Sequence, residues 1–421
     1  MDIQTGDCRD SPLTIIMPLS PSAELLAQNL QSVDFVEVYA HHDTDGIAAA
    51  SILCTALSRS HVPFHLHIRQ TITTDMVPAD RPVLLCDFGS SLPDLPASTM
   101  VVDHHIPSFT GKFHVNPRLH GIDGDTELSA SGSAYLVAQH LGDNRDLAGL
   151  ALLGVIGDRQ EFSGPNREIL HEGIGNGVIS MKPGFCLAGR NVFERLLLST
   201  DPYLPSITGN DPVCKVLSDM TDPDIPIEDD TLFLSRLVLE VGEEASEYAL
   251  LRIFGDVYDL EREVIPEAPA LSAVVDACGK SGCGGLGASL CLGDPTGISE
   301  AWDVFSVFRQ RIIQGLRSVV SIDPGWYLVK DPGVASDIAD LLSQDLMQAS
   351  PIFVIASEGE ICRISARSPP GIDLNLDEIV RTAASAVGGS GGGHTSRAGA
   401  TIPNGRDDLF RQAVMEAIGV C

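Results

Sequence analysis

The sequence predicts an α/β protein with a parallel-sheet domain at the N-terminus, a helical linker or insertion, and a smaller C-terminal α/β domain. Three observations carry this expectation. Short apolar runs alternate with Ala-rich helical segments over residues 36–160, the pattern of strand–helix–strand units. Each of those apolar runs enters a loop rich in Asp or His, as the ligand-binding strand ends of a doubly wound parallel sheet do. A second alternation begins near residue 270, after a stretch broken by Pro, Gly and Asp. A single core stops growing at roughly 250–300 residues. The 421 residues are therefore expected to divide into domains 1–165, 166–267 and 268–421.

Residues 36–40 read as the first strand and 47–57 as an apolar helix. Strands follow at 83–86 and 100–102, then helices at 129–140 and 146–161. The middle stretch carries helical patterns near 190–198 and 231–250. In the last third, residues 352–357 and 361–366 flank Glu358-Gly359-Glu360 as a hairpin would. A helix at 376–387, a Gly-rich loop, a strand at 400–402 and a closing helix at 406–418 complete the pattern.

Hydrophobic residues make up 44% of the chain and charged ones 20%, an ordinary globular balance. No apolar run reaches the ~18–20 residues of a bilayer span, and no signal peptide is expected, so the reading is cytoplasmic and without a membrane partner. The 10 cysteines lack paired ligand spacing and read as reduced thiols. The net charge of −30 repels polyanions at long range. It points to a small substrate, a local basic groove, or positive charge supplied by bound metal.

Five motifs carry chemistry. His41-His42-Asp43-Thr44-Asp45-Gly46 lies between a strand and a helix, and in an extended loop Asp43 and Asp45 would point the same way. Asp87 ends the apolar run Leu84-Leu85-Cys86. Asp103-His104-His105 leaves another apolar strand, where three consecutive ionisable groups are costly unless paired or metal-bound. Asp158 ends an otherwise apolar helix. Together they offer acids and imidazole to one crevice, enough for two cations sharing a bridging carboxylate. Imidazole favours manganese over magnesium. A fifth motif, Gly388-Gly389-Ser390-Gly391-Gly392-Gly393-His394-Thr395-Ser396-Arg397, can aim backbone amides at an anion, with His394 and Arg397 adding charged donors.

These motifs, in this order and spacing, resemble the DHH phosphoesterase superfamily, in the branch whose C-terminal DHH-associated domain carries a Gly-Gly-Gly-His loop. The resemblance covers about residues 36–165 and 268–405. Ala277-Cys278-Gly279, Leu286-Gly287 and Cys291-Leu292-Gly293-Asp294 are most similar to archaeal RecJ-like proteins, among them the GINS-associated nuclease. The resemblance implies one metal on Asp43 and Asp87 with His41 as an extra ligand, and another on Asp45, Asp87, His104 and Asp158. Asp103 would orient the His pair, and His105 would face the scissile phosphate as the catalytic acid. Gly391, Gly392, Gly393, His394, Arg397 and Arg367 would bind substrate.

The expected activity is then a two-metal exonuclease on single-stranded DNA or RNA, releasing mononucleotides. The alternatives are hydrolysis of short oligonucleotides, cyclic dinucleotides or phosphoadenosine phosphate, and a GINS-binding replisome subunit with little activity. Two departures stand against the resemblance. The insertion around 195–265 is short for the replisome-associated branch, and the oligonucleotide-binding domain of bacterial RecJ is not recognisable.

Overall fold

The computed structural model describes residues 19–419 apart from 223, 228, 242–244, 347–349, 370 and 373. Helix α1 (Ser20–Gln31) precedes β1 (Val36–His41), α2 (Thr44–Arg59), β2 (Phe64–Arg69), β3 (Val83–Cys86), β4 (Thr99–Val102) and the short β5 (His114–Val115). The five strands form one parallel sheet in the order β2-β1-β3-β4-β5. Helices α3 (Ala130–Leu141) and α4 (Ala148–Gly157) join α1 and α2. Val36, Val38, Ala40, Leu84, Cys86, Met100 and Val102 point into their common core.

The other face departs from a doubly wound sheet. Val83, Leu85 and Val101 are covered there by Ile72, Val77, Phe88, Leu95 and Phe109, which come from connecting loops and not from helices. Those connections contain Pro78, Pro82, Pro93, Pro96 and Pro107. Proline removes a backbone donor and blocks the preceding turn, so these crossovers cannot wind into α-helix.

The middle stretch is more than a helical insertion. After α5 (Gly164–Gly175), β6 (Ile179–Phe185) pairs antiparallel with β7 (Phe254–Leu260), a ribbon the sequence reading missed. Between them lie α6 (Val192–Leu197), α7 (Asp211–Ser218), α8 (Thr231–Val241) and α9 (Glu247–Leu251). They share a separate core around Phe185, Leu196, Cys214, Phe233 and Leu237. The single helix expected over 231–250 is therefore two.

Helices α10 (Ala268–Lys280), α11 (Gly284–Cys291) and α12 (Ile298–Arg317) follow. They pack into the N-terminal core beside α2 and α4, so the packing unit does not change at residue 268, where the C-terminal domain was expected to begin. The approach is close because Gly279 faces the backbone of His42, where a Cβ would lie 1.6 Å from the carbonyl oxygen. The second sheet begins later, with β8 (Val320–Asp323) and β9 (Trp326–Val329). Helix α13 (Ala335–Asp340), β10 (Ile352–Glu358), β11 (Ile361–Arg367), α14 (Leu376–Ala386), β12 (Ser390–Gly393), β13 (Arg397–Pro403) and α15 (Asp407–Ile418) complete it. Its order is β12-β13-β11-β10-β9-β8. Along β10, Ile352, Val354 and Ala356 point into the large core, while Phe353 and Ile355 face a smaller one under α14 and α15. The period of two thus joins the two halves through one strand.

Candidate metal centre

The strand order reverses between β1 and β3, and a crevice opens at the carboxyl ends of such a pair. His41 is the last residue of β1. Asp43 caps α2, its Oδ1 accepting from the Gly46 N–H at 3.0 Å, while its Oδ2 lies 2.7 Å from His41 Nδ1. One oxygen serves the helix and the other faces the crevice. Asp45 sits in the first turn of α2, not beside Asp43 in an extended loop as expected. It is fully buried, and its two oxygens accept from the Ala130 and Ser131 N–H groups at the start of α3, each at 2.8 Å. A helix N-terminus offers such free donors to a carboxylate.

Asp87 follows β3 with φ 58°, in the left-handed region that Asp and Asn tolerate better than other non-glycine residues. That turn swings its carboxylate across the crevice. Oδ2 lies 3.1 Å from His41 Nδ1, and Oδ1 lies 3.3 Å from His104 Nε2. His104 Nδ1 donates to the Gly124 carbonyl at 2.6 Å, which fixes the tautomer and leaves Nε2 toward Asp87, Asp158 (3.3 Å) and Asp45 (3.8 Å). Asp103 accepts from the His105 ring at 2.8 Å and from the backbone N–H groups of Ser90, His104 and His105. It therefore positions the ring of His105, whereas a backbone carbonyl positions that of His104; a shared role for Asp103 on both rings is not what the geometry provides.

Buried carboxylates crowd the crevice. Burial first, and the charge of Asp87 second, push the Asp45 carboxyl up to about 6. Burial, with Asp45 beside it, holds Asp158 well above the ordinary carboxylate range. Burial would lower His104, yet Asp87 and Asp158 hold it well above its usual value. Asp87 Oδ1 is buried and accepts no hydrogen bond. Such an orphaned carboxylate oxygen calls for a cation. Two groups of donor atoms, His41–Asp43–Asp87 and Asp45–Asp87–His104, each lie within 4.8 Å, and Asp87 belongs to both. Carboxylate oxygens and imidazole nitrogens fit divalent ions of the manganese and magnesium kind.

The C-terminal half closes over this crevice. The His394 ring lies 4.8 Å from that of His105 and 5.4 Å from that of His104, and its Nδ1 is bonded to Asp125. Burial holds His394 down at about 4, against the bond to Asp125, which raises it. Arg397 donates to Asp340 at 2.8 Å and reaches the Asp158 carbonyl at 3.5 Å. Gly391, Gly392 and Gly393 form the edge strand β12 and not an open anion-binding loop. The Gly393 N–H is already taken by Asp377 at 2.9 Å. Small residues let this segment pair along β13, and pairing uses alternate amides that a loop would leave free.

Arg367 is the clearest correction. It is buried, with Nε 2.5 Å from Asp340 Oδ1 and Nη2 2.6 Å from Ser336 Oγ, so it holds the fold and does not face substrate. Removing one partner of a buried pair costs about 3–5 kcal/mol. Arg367→Ala should therefore lower stability by about 3 kcal/mol, since Arg397 still serves Asp340; denaturant titration measures this. Other positioning residues escaped the sequence reading. Arg118 bonds both the His104 carbonyl (2.8 Å) and Asp125, linking the His pair to His394. Only the acids of Asp123-Gly124-Asp125 hinted at this turn.

Comparison with known proteins places these features. Residues 36–155 match the model of the DHH family N-terminal domain, and residues 324–419 match that of the DHHA1 domain. An uncharacterized protein of Methanocaldococcus jannaschii is 27% identical over 426 residues, covering 93% of this chain and 94% of that one. The manganese complex of RecJ from Thermus thermophilus superposes with a TM-score of 0.58 at 20% identity, over 97% of this chain; this chain spans 56% of that longer protein. CDC45 from Entamoeba histolytica superposes with a TM-score of 0.57 at 13% identity, covering 94% of this chain and 98% of that one. At these identities the two structures establish a shared fold. No helix among the described residues is long and apolar enough to cross a membrane. Both domain models occur in order around the carboxylate–histidine crevice, and the chain belongs to the DHH phosphoesterase superfamily.

Proposed function

We propose that the chain is a two-metal phosphodiesterase that releases mononucleotides from an end of single-stranded DNA or RNA. The observation that carries this reading is the orphaned Oδ1 of Asp87, set where two donor groups meet. Two divalent ions, manganese or magnesium, would supply a nucleophilic water at neutral pH and neutralise phosphoryl charge. His41, Asp43 and Asp87 would hold one, and Asp45, Asp87, His104 and Asp158 the other. His105, its Nδ1 fixed by Asp103, keeps Nε2 free to hold a proton for the leaving oxygen. His394 stands opposite, with Nδ1 donating to Asp125; Nε2 would donate to a phosphate oxygen once the ring takes up a second proton, which an adjacent phosphate anion favours. His394→Ala should therefore raise KM by roughly 10–100-fold, the worth of a hydrogen bond to a charged group, with a smaller effect on kcat. Steady-state kinetics on a short labelled oligonucleotide measures the split.

A second reading, hydrolysis of short oligonucleotides or small phosphate compounds, is favoured by the arginines. Arg363 pairs with Glu358, and Arg367 and Arg397 share Asp340. With the −30 charge, they do not build the basic groove that a long polyanion needs. Manganese-dependent hydrolysis of end-labelled DNA and RNA, beside a dinucleotide and phosphoadenosine phosphate, separates the two. Stepwise release from long strands supports the exonuclease, and turnover of the small compounds alone supports the second. A GINS partner, implied by the archaeal RecJ-like resemblance, would find exposed apolar side chains on the insertion: Leu232 (69% exposed), Leu239 (75%) and Leu251 (69%).

A further inference from the structure

A second set of metal-ligating side chains stands away from the crevice, at the edge of the first sheet. β2 is an edge strand, and His65 and His67 are two residues apart on it. The period of a strand puts both imidazoles on one face. The parallel register sets His65 beside Glu37 and His67 beside Tyr39 on β1. Both rings converge on one oxygen: Glu37 Oε2 lies 2.8 Å from His67 Nε2 and 3.5 Å from His65 Nδ1. The three ligand atoms lie within 4.8 Å of one another.

An ion pair would need only one of these rings. Here both rings crowd the same carboxylate, their centroids 4.2 Å apart, as two ligands of one ion would. Glu37 is 8% exposed, a carboxylate held at the margin of an apolar sheet. Tyr39 stacks on His67 at 4.6 Å and 16°, which fixes that ligand's plane. Arg81 approaches the other carboxylate oxygen, Oε1, at 3.5 Å, but it is half exposed and makes its closer bonds to Asp80, at 3.0 and 3.1 Å. The exposed His65 leaves the outer side open to water.

We propose that Glu37, His65 and His67 form an accessory site for a divalent transition ion of the zinc class. Two imidazoles and one carboxylate select zinc or its neighbours over magnesium, calcium and manganese, and water fills the remaining position. Such an ion ties the edge strand β2 to β1.

The test uses the full-length chain, stripped of metal, dialysed against zinc and analysed for bound metal. The wild type is expected to hold one more equivalent of zinc than His65→Ala, and Asp87→Asn to keep that extra equivalent, because it lies outside the crevice. Since perturbing a ligand's supporting bonds alone weakens binding by about 10–100-fold, losing a ligand should weaken it at least as much. His65 is 64% exposed on its side chain, so its removal leaves the core untouched, and circular dichroism checks this. Equal zinc content in wild type and His65→Ala overturns the site, as does loss of the extra equivalent in Asp87→Asn.

Discussion

Asp87→Asn should lower manganese-dependent turnover by on the order of 10³-fold or more while the protein stays folded. The amide has nearly the shape of the carboxylate and tolerates the left-handed backbone at φ 58°. It cannot place a charged oxygen in both donor groups, so both groups lose their shared member. Asp87→Ala, the simpler truncation, adds a backbone penalty of about 1–2 kcal/mol in that conformation, so Asn is the better-controlled variant. Turnover is measured on end-labelled oligonucleotide, and unfolding on the same preparation. Wild-type turnover in Asp87→Asn would sink the two-metal assignment.

Gly154→Ala should have a large effect on the site although it removes no functional group. A Cβ there would lie 1.9 Å from Asp45 Oδ1 and 2.0 Å from Ser131 Oγ. Both partners are fully buried, and Asp45 is already fixed by the Ala130 and Ser131 N–H groups. Overpacking a core typically costs ~1–3 kcal/mol, and a clash with a held carboxylate belongs at the top of that range. The expected loss is about 3 kcal/mol by denaturant titration, accompanied by reduced metal content in equilibrium dialysis. A variant of wild-type stability and full metal content would show that Asp45 is not clamped between α3 and α4.

Much of this could be read from the chain because the relevant signals are local. The strand at residues 83–86 and the hairpin around Gly359 follow from apolar runs and turn residues, and each is found with its expected bounds or one residue longer. Strand β2, by contrast, carries His65, His67 and Arg69 on its open face, and edge strands need few apolar residues to pair. The ribbon of β6 and β7 joins residues some seventy to eighty apart, and its pairing leaves no period in either segment alone. Asp43 shows how a local rule can hold without being complete: its side chain caps α2 and still presents one oxygen to the crevice.

The sequence by itself determined the α/β class, the order of the motifs, and the residue types that meet at the crevice, because apolar periodicity and acid-bearing strand ends are written residue by residue. The tertiary structure alone decided which charges are free. Arg367 and Arg397 look alike as basic residues near a Gly-rich segment, yet Arg367 is buried against Asp340 and Ser336, while Arg397, bonded to the same Asp340, also reaches the Asp158 carbonyl. Gly391–Gly393 lost its loop character to pairing with β13, and burial holds His394 down at about 4. Burial and partner choice depend on segments far apart in sequence, and they set whether a side chain carries charge to a ligand or spends it within the fold.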